Sequence, residues 1–195
     1  EQIDHSKILS ILGLEPGKYI LLSAHREENI DIEENFFSLM NAINAMAEKY
    51  DMPILYSCHP RSKKYIEQRH FVFDNRVICH EPLGFFDYNK LQQSAFCVVS
   101  DSGTLPEEGA YFRFPAVSVR TSTERPEAIE NGIFTVGSIT TEQVLQAVEL
   151  AISMHANGDR GANVHAYCET CVSAKVVMLI QSYTGIVNKM IWRKK

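Results

Sequence analysis

Short apolar runs, each followed by a polar turn and then a helical pattern, recur along most of the chain and restrict it to one kind of sheet. Residues 19–24 (Tyr-Ile-Leu-Leu-Ser-Ala), 54–58, 77–79, 96–100, 116–119 and 134–136 read as strands. Between residues 33 and 50, Phe36, Phe37, Met40, Ile43, Ala47 and Tyr50 repeat at helical spacing. Further helices are expected at 62–69, 86–94, 141–154 and 173–191, the third of these with Val144, Leu145, Val148 and Ile152 on one face. Continuous short runs alternating with helices, and few hairpin signals, mean parallel strands buried on both faces. The expected fold is α/β, a Rossmann-like parallel sheet with helices on both faces. Residues 1–18 read as a linker and lead-in helix, 19–172 as the sheet domain and 173–195 as a C-terminal helix.

At 195 residues the chain suffices for one sizeable core. No run approaches the ~18 apolar residues of a membrane span, and no signal-peptide pattern opens the sequence, so a cytoplasmic location is expected. A net charge of -5 argues against general nucleic-acid binding, so any anion site must be local. Cys58, Cys79 and Cys97 fall in apolar runs, where a reduced thiol is the default. Cys168 and Cys171 form a Cys-x-x-Cys without the second pair or histidines that zinc needs, so no metal is expected. Neither a G-x-G-x-x-G nor a P-loop is present, which argues against hydride transfer and ATP hydrolysis.

In parallel sheets, ligands bind beyond the carboxyl ends of the strands. The unusual polar residues gather there: His25 to Asn29 after the first strand, His59 and Arg61 after the second, Ser102 and Gly103 after the fourth, and residues 120–127 after the fifth. Ser100-Asp101-Ser102-Gly103-Thr104 joins an apolar run to a helix, a geometry that aims backbone N–H groups and a helix dipole at an anion. Arg125 supplies a fork for phosphate oxygens, and a carboxylate one turn into the helix, Glu107 or Glu108, suits the paired hydroxyls of a ribose. Together these point to a nucleoside diphosphate. The competing reading makes Ser102 a helix cap and the carboxylates first-turn residues. His25 and His59 either contact phosphate and sugar or hold their loops. Asn29 and Asp31 read as turn and cap residues, Arg61 as a ligand or a solvated helix start, and Tyr88 as a stacking or a core aromatic.

The order and spacing of Ser23-Ala24-His25-Arg26-Glu27-Glu28-Asn29, His59-Pro60-Arg61, Asp101-Ser102-Gly103-Thr104 with Glu107-Glu108, and Thr123-Glu124-Arg125-Pro126-Glu127 resemble the non-hydrolysing UDP-N-acetylglucosamine 2-epimerase family. That family resembles GT-B glycosyltransferases, with two Rossmann-like domains across a cleft, and this chain is similar to the second domain. Leu83-Gly84-Phe85-Phe86-Asp87-Tyr88 and the tail from Gln181 to Trp192 look most like the branch forming UDP-N-acetyl-L-fucosamine, a sugar nucleotide for capsule or O-antigen. Where the main family commonly has Ser-Gly-Gly, this chain has Ser102-Gly103-Thr104, which predicts an altered backbone approach to the pyrophosphate.

The resemblance implies diphosphate contacts from Ser102, Gly103 and Thr104, ribose contacts from Glu108, and uracil against Tyr88. It also implies UDP-sugar contacts from Arg26, His59 and Arg125, and a catalytic His25. The implied reaction eliminates UDP to a 2-acetamidoglycal and re-adds it with C2 inverted, without cofactor or metal. Implied partners are the UDP-sugar, the N-terminal domain carrying the carboxylates that move the C2 proton, and a second copy in a homodimer, with no nucleic acid or membrane. The alternatives are the donor domain of a GT-B glycosyltransferase, or a non-catalytic UDP-binding module.

Overall fold

The computed structural model describes residues 1–194. Residues 1–162 form one compact unit, residues 163–195 a second. The first unit is built on a sheet of six parallel strands in the order β3-β2-β1-β4-β5-β6: β1 (Ile20–Ser23), β2 (Ile54–Ser57), β3 (Val77–His80), β4 (Cys97–Ser100), β5 (Ala116–Ser118) and β6 (Thr135–Val136). The two central strands pair in register, Ile20 with Cys97 through Ser23 with Ser100. Ile20, Leu21, Leu22, Val98 and Val99 are fully buried, as strands covered on both faces must be.

Before the sheet, α1 (Ile8–Leu12) packs beside α5 (Phe85–Ser94), tied by Ser6 Oγ donating to Asp87 Oδ1 at 2.5 Å. After β1 come α2 (Glu27–Ile30) and α3 (Glu33–Tyr50). The latter buries Phe36, Leu39, Met40, Ile43, Met46 and Ala47 at spacings of three and four, each worth roughly 1.5–3 kcal/mol for the larger side chains. It ends at Asp51, whose backbone takes the left-handed conformation at φ 47°. The crossovers continue with α4 (Pro60–Gln68), α6 (Leu105–Phe112), α7 (Pro126–Glu130) and α8 (Thr141–Ala156). Helix α8 contributes Val144, Ala147 and Val148 to the same core as α3.

Two buried hydroxyls fasten the carboxyl end of β1. Tyr56 Oη and Ser62 Oγ each donate to the Ala24 carbonyl at 2.8 Å, fixing the backbone one residue before His25. The second unit carries a short 3₁₀ turn (His165–Tyr167) and α9 (Val172–Met190), in which no residue is buried.

Candidate functional site at the carboxyl edge of the sheet

Four of the six strands, β1, β2, β4 and β5, deliver polar residues to one edge, where several of their side chains are hydrogen-bonded to one another. The buried Asp101 at the end of β4 is at their centre. Its Oδ2 accepts the backbone N–H groups of His25 and Arg26, both at 2.8 Å, and the Asn29 amide at 3.1 Å. Its carbonyl accepts from Arg26 Nε at 2.8 Å, so one residue orders the whole loop after β1. Asn29 also donates to the Val119 carbonyl at 2.9 Å and is buried, which replaces its reading as a turn residue. The physical reason is that α2 lies across the strand ends, where Asp101 and Val119 present acceptors that need a donor. Asp31 does end α2, and it receives Arg61 through two bonds, Nε at 2.9 Å and Nη2 at 2.6 Å. Arg61 is therefore an ion-paired clasp between α2 and α4 rather than a solvated helix start.

A cleft of about 280 Å³ opens over the ends of β4 and β5, lined by Arg26, Ser102, Gly103, Arg120, Thr123, Arg125 and neighbouring residues. Three guanidinium groups facing one small volume favour a ligand with more than one negative charge. Each is oriented in advance by a carboxylate or carbonyl. Arg120, only 4% exposed, forms a two-bond pair with Glu124 at 2.7 and 2.8 Å. Hydrogen bonding to Arg120 holds the Glu124 carboxyl down at about 2. Arg125 reaches Glu107 Oε1 at 2.9 Å from Nη2. The sequence reading places Arg120 only within the polar stretch 120–127 and does not single it out, although a cation directly after a buried strand is a usable signal.

The turn after β4 is closed by its own side chains. Ser102 Oγ accepts from the Thr104 backbone N–H at 3.3 Å and lies 3.0 Å from the Thr104 hydroxyl, a local turn bond and not the expected helix cap, since the N-cap of α6 is Thr104 and makes no side-chain capping bond. Gly103 points into the cleft, where an added Cβ would meet only Arg26 Nη2 at 3.5 Å. Thr104 sits at φ -89°, ψ -10°, a conformation open to any residue, so its replacement of glycine imposes no strain.

Glu108 faces inward from α6 and accepts the Gln92 amide at 2.5 Å. Burial raises its pKa against the opposing hydrogen bonds from Gln92 and Thr104, with Glu107 adding repulsion. Tyr88 is half-buried on α5, and burial pushes its phenol up, with Glu108 next in effect. His59 caps α4, its Nδ1 accepting the Arg61 backbone N–H at 3.2 Å, and its ring lies 5.7 Å from that of His25. The structure thus gathers His25, Arg26, Ser102, Gly103, Thr104, Glu108 and Arg125 at one edge. His59 and Tyr88 stand on the α4 and α5 sides of it.

The strand order, which reverses between β1 and β4, defines the class: a doubly wound α/β domain, here in the form of one half of a GT-B fold. The profile of the UDP-N-acetylglucosamine 2-epimerase family matches residues 1–181, and the chain belongs to that family. A UDP-N-acetylglucosamine 2-epimerase of Methanocaldococcus jannaschii is 32% identical over 71% of this chain and 39% of its own length. The solved UDP-N-acetylglucosamine 2-epimerase of Rickettsia bellii superposes with a TM-score of 0.79 at 33% identity, over 99% of this chain and 52% of that one. The M. jannaschii enzyme in complex with UDP-GlcNAc and UDP gives 0.76 at 26% identity, over 93% of this chain and 50% of that one. A heptosyltransferase of E. coli shares the fold alone, at 10% identity and a TM-score of 0.53. The chain spans about half the length of these solved structures.

Proposed function

We propose that this chain is the nucleotide-binding half of a sugar-nucleotide C2 epimerase acting on UDP-N-acetylhexosamines. The observation that carries the reading is the arginine-lined cleft at Gly103, set beside an inward-facing Glu108. Arg26, Arg120 and Arg125 suit a diphosphate, and Glu108 suits the ribose diol because an ionised carboxylate accepts two hydrogen bonds. Ser102, Gly103 and Thr104 line the diphosphate approach, and Tyr88 and His59 flank the nucleoside and sugar. Contacts from cations that strengthen as UDP departs lower the barrier to C1–O cleavage. His25 acts at the sugar-diphosphate junction. The proton at C2 is moved by groups of the other half of the protein, so the chain alone binds UDP and is inactive. Within the family the motif from Leu83 to Tyr88 supports the branch forming UDP-N-acetyl-L-fucosamine, in a cytoplasmic pathway to surface polysaccharide, with the whole enzyme a homodimer.

Calorimetric titration with UDP, uridine and ADP tests the binding step. UDP should bind, ADP far more weakly, and Arg125→Ala should weaken UDP more than uridine, which lacks the diphosphate. Absence of heat and of any melting shift with UDP would sink the proposal. Mixing the chain with the N-terminal half of an epimerase and following deuterium incorporation at C2, with gluco and 6-deoxy-talo nucleotides, tests the reaction and the branch.

A further inference from the structure

The side-chain oxygens of Asp101 are used unequally. Oδ2 is saturated by the N–H groups of His25, Arg26 and Asn29, whereas the buried Oδ1 accepts no well-aligned hydrogen bond. The nearest donor candidate is His25 Nδ1, at 3.3 Å. Leaving a carboxylate oxygen buried without a donor is costly, and an unprotonated Nδ1 would set a lone pair 3.3 Å from that oxygen. A proton on Nδ1 removes both penalties. The ring itself is 42% exposed while Asp101 is fully buried, so Nδ1 is its inner nitrogen and Nε2 its outer one. His59 is the neighbouring ring, and Arg120 and Tyr88 both feel the Asp101 charge.

We infer that Asp101 is the positioning residue for His25, holding it as the Nδ1–H tautomer with the Nε2 lone pair outward. Nε2 is then the nitrogen that exchanges protons with a bound ligand, while the carboxylate keeps the ring in place. The backbone bonds to Oδ2 make the arrangement rigid, because loop and ring are anchored to the same carboxylate. The catalytic consequence rests on the epimerase reading. The tautomer does not.

The test is ¹⁵N NMR of the histidine-labelled chain without ligand, at a pH above the ordinary histidine range, with His25→Gln identifying the signal. The wild type should show His25 predominantly as Nδ1–H. Asp101→Asn should reverse it to Nε2–H, because the new amide keeps its oxygen on the backbone N–H pair and turns its NH₂ toward Nδ1. A wild-type Nε2–H spectrum overturns the inference, as does a folded Asp101→Asn chain with the tautomer unchanged. Should that variant not fold, the wild-type spectrum decides alone. A Nδ1–H spectrum from a chain that binds no UDP would defeat the nucleotide reading and leave the positioning intact.

Discussion

Gly103 and Glu108 show how single residues trade folding against ligand. Glycine at 103 is required neither by a positive φ nor by a crowded neighbour, since an added Cβ meets only the flexible tip of Arg26. Gly103→Val should therefore leave the folding free energy within about 0.5 kcal/mol, by chemical denaturation. It should abolish UDP binding, because the new side chain fills the cleft. Glu108 is the converse case. Its folded pKa lies above the ordinary 4.5, so the unfolded chain releases the proton first as pH rises, and stability is lost through the folded value. Glu108→Gln should raise the thermal midpoint at about pH 7, with the gain vanishing below the ordinary carboxyl range. The same change should weaken UDP by roughly 1.5–3 kcal/mol, about tenfold or more, by calorimetry. An equal midpoint at both pH values would show that burial of the charge costs nothing.

At the level of elements, the alternation of strands and helices was legible because period and length of apolar runs are local properties. The expected helix at 33–50 and strands at 54–58 and 96–100 correspond to Glu33–Tyr50, Ile54–Ser57 and Cys97–Ser100. Two short helices were not legible. Residues Glu27–Ile30 and Pro126–Glu130 carry charges without apolar periodicity, and are held by tertiary partners: Asp101 and Arg61 for the first, Glu107 for the second through Arg125 at its N-terminus. Gly137 shows a similar limit. It lies just past the expected strand at 134–136, yet its N–H extends the ladder by donating to the Ser118 carbonyl at 2.8 Å. A Cβ there would lie 2.9 Å from Val117 Cγ1 and 3.0 Å from Ala147 Cβ, so glycine is what lets β6 meet α8. Gly137→Ala should cost about 1–3 kcal/mol in urea unfolding, as overpacking does, without changing the UDP site directly. A neutral result would mean that α8 shifts freely.

On the scale of the molecule, all of the buried hydrophobic core outside Val164 belongs to residues 1–162. Helix α9 instead exposes Val177, Met178, Leu179 and Ile180, each more than half accessible. A charge placed on it should not disturb the sheet. Val177→Asp with Ile180→Asp should leave the thermal midpoint unchanged and reduce light scattering on heating, since contiguous bare apolar surface drives association. A clear fall in midpoint would show that the helix supports the core. The chain covers about half of the solved relatives it resembles.

The amino-acid sequence by itself determined the parallel α/β architecture, because burial on both faces and crossover length leave their signature in residue order. It also determined which edge collects the polar residues, because in a parallel sheet every strand's carboxyl end lies on the same side. Tertiary structure alone decided which of those residues act together. Arg125 meets Glu107, Asn29 bridges β4 to β5, and Asp101 gathers the loop after β1 across more than seventy residues of chain. Such pairings depend on which buried acceptor lacks a donor once the sheet has formed, and no local pattern encodes that.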